Sequence, residues 1–535
     1  MTEVGYRRGD LMWSLRTGTG ACPYRNDTAF VVLIVVVLAF TVIGCAPSVK
    51  LQREFRRPTG IDPAYREVFE KYSASILERM VEHKIPGLSL AVVDRGGILW
   101  TAGFGRTGKG KQPVTPETLF SIQSMSKTFT ATAVMMAVQD GLVDLDTPIT
   151  EYLPDFTVNS CWEDNPQEKM TLRHLLSHTA GFTHEAPVGN NLDTRFDSFE
   201  QHVLSISETW LRSRVGAKYN YSNLGIDLAA YIVQVRSGMS IAEYFKHKIF
   251  DPLGMPTSSI DYDFVEQGAD RALGHMPFIQ KVPVAIPMVA AGGVYTSAAE
   301  CARFVQFHLN RGLIDGRRLL DARLVDTMYT SPEISKGYGL GIAVGEKHDT
   351  YYLNHNGGGF GFLTTMTWYP EYGVGCIVLT NSSAHDEQNA RIAGEILDEL
   401  IAKHIVAKDA SGIPPADQLI GKDTTRPILA EQGHVHTPTA YKPDWKRYTG
   451  TYRFIAKGYK LNLPVRLVLA LGYCDAGMKL VVEKEDGFLC IGEDKLEEHQ
   501  PGLFFTPSGE TLDLRGPVPT WRNIKMEKSF LFWSL

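Results

Sequence analysis

The chain has 535 residues, more than a single hydrophobic core usually contains, so we expect two or more domains. Hydrophobic residues make up 44% and charged residues 21%, a composition typical of soluble globular proteins. The formal net charge is −6 and there is no long basic run, which argues against nucleic-acid binding and against strong attraction to anionic membrane surfaces. The seven cysteines are scattered singly, so neither a zinc site nor a dense disulfide framework is indicated.

The N-terminal region has the pattern of a targeting segment. Several arginines precede an unbroken apolar run over residues 29–44, which predicts a signal peptide or membrane anchor over residues 1–44. Val42 to Cys45 resembles a bacterial lipobox, in which the cysteine (Cys45) is acylated. The alternative is a simple membrane anchor, although sixteen apolar residues are slightly short for a bilayer span. Either way, we expect a protein of the bacterial cell envelope, held at the membrane by a lipid or a helix and facing the periplasm or the exterior.

A tether and the start of a globular section follow. Residues 45–62 are polar, contain two prolines and are predicted to be the tether. The globular section covers residues 63–404 and opens with apolar residues at helical spacing between Val68 and Val81. Two apolar runs then flank the sequence Asp94 to Gly97, which predicts a β-hairpin.

The end of the globular section is also rich in strands. Two β-rich runs, 362–369 and 373–380, are separated by a short turn, and a helix is predicted over 388–404. Helical patterns fill most of the middle of the section. Strands from both ends with helices between them predict an α+β fold, whose antiparallel sheet is assembled from distant parts of the chain.

The composition changes after residue 404. Residues 405–443 contain five prolines, few apolar runs and no periodicity, which predicts a linker. Over residues 444–535, short apolar runs alternate with turn signals such as Glu485 to Phe488. We interpret this last region as a small all-β domain, either a barrel or a sandwich.

Ser124 and Lys127 carry the first chemical signal. Residues 125–140 have a strongly helical pattern, and residues three apart on a helix share a face, so we expect the lysine amine beside the serine hydroxyl. A serine is a weak nucleophile unless a base takes its proton, and a lysine can be that base. An S-x-x-K match is common by chance, so it does not identify a catalytic site by itself.

Two further motifs strengthen this signal. Tyr221 and Asn223 lie two apart in a short segment before an apolar helix, and alternate residues of an extended segment point to the same side. A glycine-rich run from His355 to Gly361 lies between two apolar stretches. Glycines on an edge strand allow the backbone of a substrate to approach closely.

The order of these motifs, S-x-x-K, then Y-x-N, then H-x-G on a late strand, resembles the serine β-lactamase and D,D-peptidase superfamily, in particular its class C branch and esterase-like relatives. Two connecting segments, Leu172 to Gly181 and Gly292 to Ser297, also resemble family signatures. The resemblance covers about residues 63–404 and implies a β-lactamase/transpeptidase-like fold, an antiparallel sheet flanked by helices with an all-helical subdomain. The C-terminal part, with Tyr448 to Tyr452, resembles the lipocalin-like domain often appended to such hydrolases.

The resemblance implies a role for each motif residue. Ser124 would attack a carbonyl carbon and form an acyl-enzyme. Lys127 and Tyr221 would share the general-base and proton-shuttle work, while Asn223 would hold Lys127 and the substrate amide. The backbone N–H groups of Ser124 and Gly358 would form the oxyanion hole.

The H-x-G motif departs from the pattern of penicillin-reactive enzymes. By their place in the motif, His355, Gly357 and Gly358 are assigned to substrate binding and the oxyanion hole. His355 stands where penicillin-reactive enzymes usually carry a lysine, and Asn356 replaces the usual hydroxyl residue. Because histidine is mostly neutral near pH 7, a peptide, ester or amide with weaker dependence on a carboxylate is favoured over a β-lactam.

The function predicted from the sequence is that of an extracytoplasmic serine hydrolase that acts on an amide, peptide or ester and needs no cofactor or metal. Cell-wall peptides, β-lactams and simple esters remain open as substrates. One alternative is a catalytically silent protein of the same fold that binds cell-wall peptide, and another is a membrane-tethered scaffold that works through its C-terminal β domain. The G-x-G-x-x-G match at Gly103 to Gly108 is interpreted as a turn because no helix follows it. His174 and His178 are interpreted as packing histidines rather than zinc ligands.

Overall fold

The part of the chain that the computed structural model describes lies within Leu51–Leu535. It comprises residues 63–419, apart from 109–110, 192, 269, 277–278 and 336, together with the stretches 450–454, 460–461, 479–485, 488–491, 494–500, 502–515, 520–521 and 524–529. The predicted signal peptide or anchor, Cys45, the tether and most of the linker lie outside the described residues. No helix within those described ranges is long and apolar enough to cross a membrane.

The helices belong almost entirely to the section before residue 404. In chain order they are α1 (Pro63–Glu82), α2 (Ser126–Gln139), α3 (Leu172–Leu176), α4 (Phe199–Leu204), α5 (Asn223–Ser237), α6 (Ile241–Phe245), α7 (Asp251–Leu253), α8 (Tyr262–Gly268), α9 (Val289–Gly292), α10 (Ala298–Leu309), α11 (Ala322–Tyr329), α12 (Gln388–Ala402) and α13 (Ala416–Leu419).

The strands fall into two groups, before and after the predicted linker. The first group is β1 (Gly87–Asp94), β2 (Gly97–Gly105), β3 (Phe120–Ser121), β4 (Ile279–Lys281), β5 (Tyr295–Thr296), β6 (Leu313–Ile314), β7 (Arg317–Arg318), β8 (Ala343–Lys347), β9 (Thr350–Gly359), β10 (Phe362–Tyr369) and β11 (Val374–Thr380). The second group is β12 (Gly450–Phe454), β13 (Lys460–Leu461), β14 (Lys479–Glu485), β15 (Phe488–Ile491), β16 (Asp494–Gln500), β17 (Leu503–Phe505), β18 (Thr511–Asp513), β19 (Thr520–Trp521) and β20 (Ile524–Ser529).

The central sheet is antiparallel and has the strand order β2-β1-β11-β10-β9-β8. β1 and β2 form the hairpin predicted from Asp94 to Gly97, and β10 and β11 form the second predicted pair. β1 pairs along its length with β11, from Leu88 opposite Thr380 to Asp94 opposite Val374. The sequence-based prediction of an α+β fold whose sheet joins distant parts of the chain is therefore confirmed.

Each face of the central sheet is covered by helices, because its strands are apolar on both sides. In β1, Leu88, Leu90 and Val92 pack into the cluster formed with α1 and α12. Ala91 and Val93, which point the other way, belong to the larger cluster that includes α2, α5 and α10. This two-residue alternation between two buried layers is what a strand with helices on both faces requires.

α2 is the central helix of the helical region beside the sheet. All of its residues from Ser126 to Ala137 are buried, although five of the first seven are Ser, Lys or Thr. The small Thr and Ala side chains allow neighbouring helices to approach, and the threonine hydroxyls are satisfied by backbone carbonyl groups such as that of Gly341. The position of α2 is thus fixed by contacts on all sides, which makes its N-terminus a rigid platform.

The second group of strands forms a closed antiparallel barrel in the order β12-β14-β15-β16-β17-β18-β19-β20, closed by pairing of β12 with β20. The barrel packs directly on the hydrolase-like section. Arg212 forms an ion pair of 2.9 Å with Glu510, and the ring of Trp210 packs edge-on against Phe505. A separate strand, β13, pairs with β4. The prediction of a small β domain, a barrel or a sandwich, is thereby resolved as a barrel.

The described part of the predicted linker, residues 405–419, is packed rather than extended. Val406 is buried against the cluster that contains α1 and α12. The N–H of Asp409 donates to the carbonyl of Glu371, and that of Ser331 donates to the carbonyl of Leu419, each at 2.7 Å. The first part of this segment therefore follows the surface of the section that precedes it.

Candidate active site

Ser124 lies on a short 3-10 turn, Gln123–Met125, between β3 and α2. Gln123 has a positive φ of 51°, a left-handed conformation that is unfavourable for a residue with a Cβ atom. The surroundings hold this strained turn in place: the Gln123 amide donates to the Ser121 hydroxyl at 2.6 Å, and the Thr364 hydroxyl donates to the carbonyl of Ile122 at 2.8 Å. The turn presents Ser124, which is half-buried, on the open side.

Lys127 occupies the first turn of α2 and is fully buried. Its Nζ lies 3.0 Å from Oγ of Ser124, 2.7 Å from Oδ1 of Asn223 and 2.9 Å from the carbonyl oxygen of Ala291. An ammonium group has three N–H donors and uses all of them here. A neutral amine would keep two bonds, to Asn223 and Ala291, and direct its lone pair at the Ser124 hydroxyl.

The cap of α5 positions Tyr221 and Asn223. The side chain of Ser222 accepts the N–H of Leu224 at 3.1 Å, so the helix begins at Asn223 and the chain before it is extended. Asn223 therefore points at Lys127 from the first position of the helix. The Tyr221 ring centroid lies 4.8 Å from Nζ of Lys127, so the phenol and the amide flank the same amine, as the sequence predicted.

β9 supplies the opposite wall. β8 pairs with β9 only as far as Asn354, so the glycine-rich half of β9 continues beyond the end of β8. A Cβ atom on Gly357 would lie 2.1 Å from the carbonyl oxygen of Ile122, so only glycine lets β9 pack this closely against the turn that carries Ser124. Gly358, the next residue, is exposed, with its backbone available at the edge of the cleft.

His355 is buried and both of its ring nitrogens are engaged. Nδ1 lies 2.8 Å from the carbonyl oxygen of Asn356, which can only accept, so Nδ1 carries the proton. Nε2 lies 2.9 Å from the hydroxyl of Tyr338 and accepts from it. Burial, helped by the charge of Lys127, lowers the pKa of His355 to about 3. The imidazole is therefore neutral, and neither of its nitrogens is available to a substrate carboxylate.

Tyr338 and His178 were not predicted to belong to the site. The N–H of Ser222 donates to Nδ1 of His178 at 3.2 Å, and the His178 ring packs against those of Tyr221 and Tyr338 at 4.4 and 4.8 Å between centroids. Burial, followed by the charge of Lys127, holds the pKa of His178 well below its usual value. His178 is thus a neutral residue that packs behind Tyr221. Nothing local in the sequence marked Tyr338.

The geometry provides a nucleophile beside a buried amine, a phenol and an amide around that amine, and exposed backbone at the edge of β9. These parts fit acyl transfer through a serine. Among the residues that the structure describes, no group of three or more His, Cys, Asp or Glu side chains is arranged to hold a metal ion.

Comparisons with known proteins show the family to which the chain is similar. The β-lactamase family model matches residues 68–400. The chain is 28% identical over 318 residues to an unguisins hydrolase of Aspergillus campestris, covering 56% of this chain but only 59% of that protein. It is 28% identical over 341 residues to penicillin-binding protein 4 of Amycolatopsis lactamdurans, covering 60% of this chain and 87% of that one.

A solved structure extends the likeness to the C-terminal part. The octameric penicillin-binding protein homologue from Pyrococcus abyssi superposes with a TM-score of 0.55 at 21% identity, over 85% of this chain and 95% of that chain. Likeness at this identity concerns the fold. Because the family model matches more than half of the residues, the chain belongs to the β-lactamase family, within the superfamily of serine β-lactamases and D,D-peptidases.

Proposed function

We propose that the protein is a serine hydrolase that forms an acyl-enzyme on Ser124 and acts on an amide, peptide or ester. The observation that carries this proposal is the 3.0 Å contact between Nζ of Lys127 and Oγ of Ser124, with the amine held by Asn223 and Ala291. A base fixed at this distance can take the hydroxyl proton as Oγ attacks.

The steps follow from the surrounding groups. Oγ of Ser124 bonds to the carbonyl carbon and its proton passes to Lys127. The carbonyl oxygen becomes an oxyanion, for which the backbone N–H groups of Ser124 and Gly358 are the proposed donors. Tyr221 relays the proton to the leaving amine or alcohol as the bond to carbon breaks. A water molecule then attacks the acyl-enzyme and releases the acid.

The substrate we favour is an amide, peptide or ester that does not rely on a free carboxylate for binding. The support is the state of His355, which is buried, neutral and bonded through both nitrogens. Near the site it offers no permanent cation such as a lysine would supply. One of the relatives, the unguisins hydrolase, is named for hydrolysis, which is the type of reaction proposed here.

We further propose that the protein works outside the cytoplasm, anchored through its N-terminal region. This rests on the sequence pattern alone, in which an apolar run ends at Cys45. Metabolic labelling with palmitate, followed by membrane fractionation, tests it in wild type and in Cys45→Ser. Label on the wild type alone supports a lipoprotein, whereas unlabelled membrane-bound protein in both supports a helical anchor. Unlabelled protein that is not membrane-bound contradicts the proposal.

The catalytic proposal is tested by intact-mass measurement after treatment with a fluorophosphonate and with a penicillin. We expect a phosphonyl adduct on the wild type and none on Ser124→Ala. The control Ser73→Ala should give an unchanged adduct, since the Ser73 hydroxyl is buried in α1 and donates to the carbonyl of Phe69. A phosphonyl adduct without a penicillin adduct would support an amide, peptide or ester substrate over a β-lactam. Peptide binding without any adduct or turnover would instead identify a catalytically silent binding protein.

A further inference from the structure

Asp227 is a fully buried carboxylate placed one helical turn after Asn223 in α5. Its Oδ1 accepts the backbone N–H groups of Ala290 and Ala291, both at 2.9 Å. Ala291 is also the residue whose carbonyl oxygen accepts from Lys127. A single residue of backbone, Ala291, therefore connects the buried carboxylate with the buried amine.

The turn that contains Ala291 is fixed from both sides. The hydroxyl of Thr130, one turn after Lys127 in α2, donates to the carbonyl of Ala290 at 2.6 Å. Asp227 holds the N–H groups of the same turn from α5. Without Asp227 these two buried N–H groups would lose their acceptor, which is unfavourable in a site closed to water. The carbonyl of Ala291 would then no longer have a defined position for Lys127.

His202 faces the other oxygen of the same carboxylate. Its Nε2 lies 3.4 Å from Oδ2 of Asp227, and both side chains are fully buried. Its Nδ1 lies 2.8 Å from the carbonyl oxygen of Val188, which can only accept, so Nδ1 carries a proton. One proton must lie between Nε2 and Oδ2, since otherwise two lone pairs would face each other. Because Oδ1 already accepts two backbone N–H groups, which favours the charged carboxylate, we place this proton on Nε2. The pair is thus an imidazolium and a carboxylate.

The ionisation of His202 agrees with this geometry. Burial alone lowers the pKa of His202, but the facing carboxylate of Asp227, together with the Val188 carbonyl and the charge of Glu185, outweighs burial, and the pKa is raised. The compensation matters for Lys127, because a base must give up its own proton before it can accept one from serine. An uncompensated carboxylate nearby would favour the ammonium form of Lys127.

We propose that Asp227 and His202 are positioning residues for the reaction: Asp227 fixes the Ala290–Ala291 backbone that orients Lys127, and the positive charge of His202 offsets the carboxylate so that Lys127 can accept the Ser124 proton. This inference rests on the proposed function, in which Lys127 is the base. It assigns a role in the reaction to two residues that contact neither the nucleophile nor, in the scheme above, the substrate.

The other ionisable groups around Asp227 and His202 keep their charge state in the pH range of the reaction. Next to Lys127, His178 and His355 are neutral for the reasons given above. Facing His202, Glu185 is an anion already paired with His184 at 2.7 Å. Further ionisable groups on and around α5 are Tyr262 and Tyr244, whose pKa values burial raises, Arg173, which pairs with Asp146, and Glu243, which caps α6. Glu200 accepts from the hydroxyl of Tyr231, Nδ1 of His174 lies 3.0 Å from the hydroxyl of Thr171, and Arg236 donates to the carbonyl of Leu142.

The test is the pH dependence of Ser124 labelling by a fluorophosphonate in the full chain, with Asp227→Asn and His202→Gln as the variants. An asparagine keeps an oxygen for the two N–H groups and offers an N–H to neutral His202, so the geometry is retained and the negative charge is lost. We expect the acid limb of its profile, the fall in labelling rate towards low pH, to move to lower pH by about one unit. His202→Gln leaves the carboxylate uncompensated, so we expect a shift of about one unit to higher pH.

Opposite shifts separate this role from simple damage to the fold, which would lower the rate of both variants without moving the limbs apart. The double variant, like Asp227→Asn with its neutral His202, carries neither charge and should show the same shift to lower pH. It covers the case in which His202→Gln does not fold. His308→Gln is the control whose acid limb should stay in place. His308 is a buried histidine of α10 that contacts Thr132 of α2 and Tyr329 of α11. Shifts in the same direction, or none, overturn the inference while labelling of the wild type leaves the proposed function intact. Absence of labelling in the wild type overturns both.

Discussion

The hydroxyl of Tyr338 donates to Nε2 of His355 across 2.9 Å, and this bond fixes the imidazole as a neutral acceptor. The proton of the ring is on Nδ1, where the carbonyl of Asn356 accepts it. At the motif position where penicillin-reactive enzymes usually carry a lysine, the site therefore has an uncharged ring that is turned inward. Tyr338, a residue outside the motif, therefore sets the protonation and orientation of the imidazole on this side of the cleft.

Replacing Tyr338 with phenylalanine should destabilise the protein by about 1–3 kcal/mol, because Nε2 of His355 would be left buried without a donor. Urea denaturation followed by tryptophan fluorescence measures this loss. Tyr352→Phe is the control. Tyr352 is half-buried and lies on β9, the strand that carries His355, and its substitution should change stability by less than about 0.5 kcal/mol. Equal effects of the two substitutions would show that the bond to His355 is not what matters.

Lys127→Met should reduce kcat by roughly 10²–10⁴-fold, because the side chain keeps its length but loses the base beside Ser124. Turnover of a chromogenic ester measures the change. Lys127→Arg is the informative companion: it keeps the positive charge, but a guanidinium does not give up its proton near neutral pH and should not restore activity. If the arginine variant turned over at the wild-type rate, Lys127 would act as a cation and not as a base.

Gly357→Ala should reduce both activity and stability, because its methyl group would lie 2.1 Å from the carbonyl oxygen of Ile122, which is backbone and cannot move aside cheaply. We expect a stability loss of about 1–3 kcal/mol and a fall in kcat as β9 moves away from Ser124. Gly394→Ala in α12 is the matched control, since open space surrounds that position. An alanine there should raise the free energy of unfolding by about 0.5–1 kcal/mol.

Acid should destabilise the protein between about pH 6.5 and pH 3. Burial lowers the pKa of His308 to about 3, so between its ordinary value of 6.5 and about 3 the unfolded chain binds a proton that the folded protein does not. For each such histidine, His355 included, the free energy of unfolding falls by about 1.4 kcal/mol for every unit by which the pH is lowered in that range. His202, with a raised pKa, acts in the opposite sense: its contribution is complete below 6.5 and is lost as the pH rises through its folded value.

The measurement is urea denaturation at pH 7 and pH 5, for the wild type and for His308→Gln. Between pH 7 and pH 5 the variant should lose less stability than the wild type, by about 1.4 kcal/mol for each pH unit below 6.5. His404→Gln, at the end of the helical section and exposed, serves as the control. A slope that is identical in all three proteins would mean that His308 is not a source of the acid sensitivity.

The parts of the structure with local signals in the sequence were predictable. The β1–β2 hairpin follows from two apolar runs around a four-residue turn signal, and Ser124, Lys127, Tyr221 and Asn223 each belong to a short motif. The structure brings these four side chains together. The sequence did not indicate Tyr338 and His202, because they approach the site from separate elements with no common spacing. Asp227 lies four residues after Asn223 on the same helix, and this helical spacing is a signal that could have found it.

The orientation of His355 illustrates the limit most clearly. A histidine in an H-x-G motif can face the cleft or turn inward, and the choice depends on whether a distant donor meets Nε2. That donor, Tyr338, lies in a loop before β8, and no pattern connects it with β9. Similarly, five prolines predicted a linker after residue 404, but apolar residues such as Val406 allow its first part to pack on the preceding section.

The pairing of β1 with β11 has a consequence for biosynthesis. Nearly the whole hydrolase section separates the two strands in the chain, and β1 has no neighbour on that side of the sheet until β11 arrives. A nascent chain emerging from the ribosome would therefore hold an apolar hairpin, β1 and β2, with one open edge for as long as the helices take to be made. A chaperone that receives the growing chain would meet this open edge before β11 covers it, so aggregation during synthesis should be most sensitive to substitutions in β1.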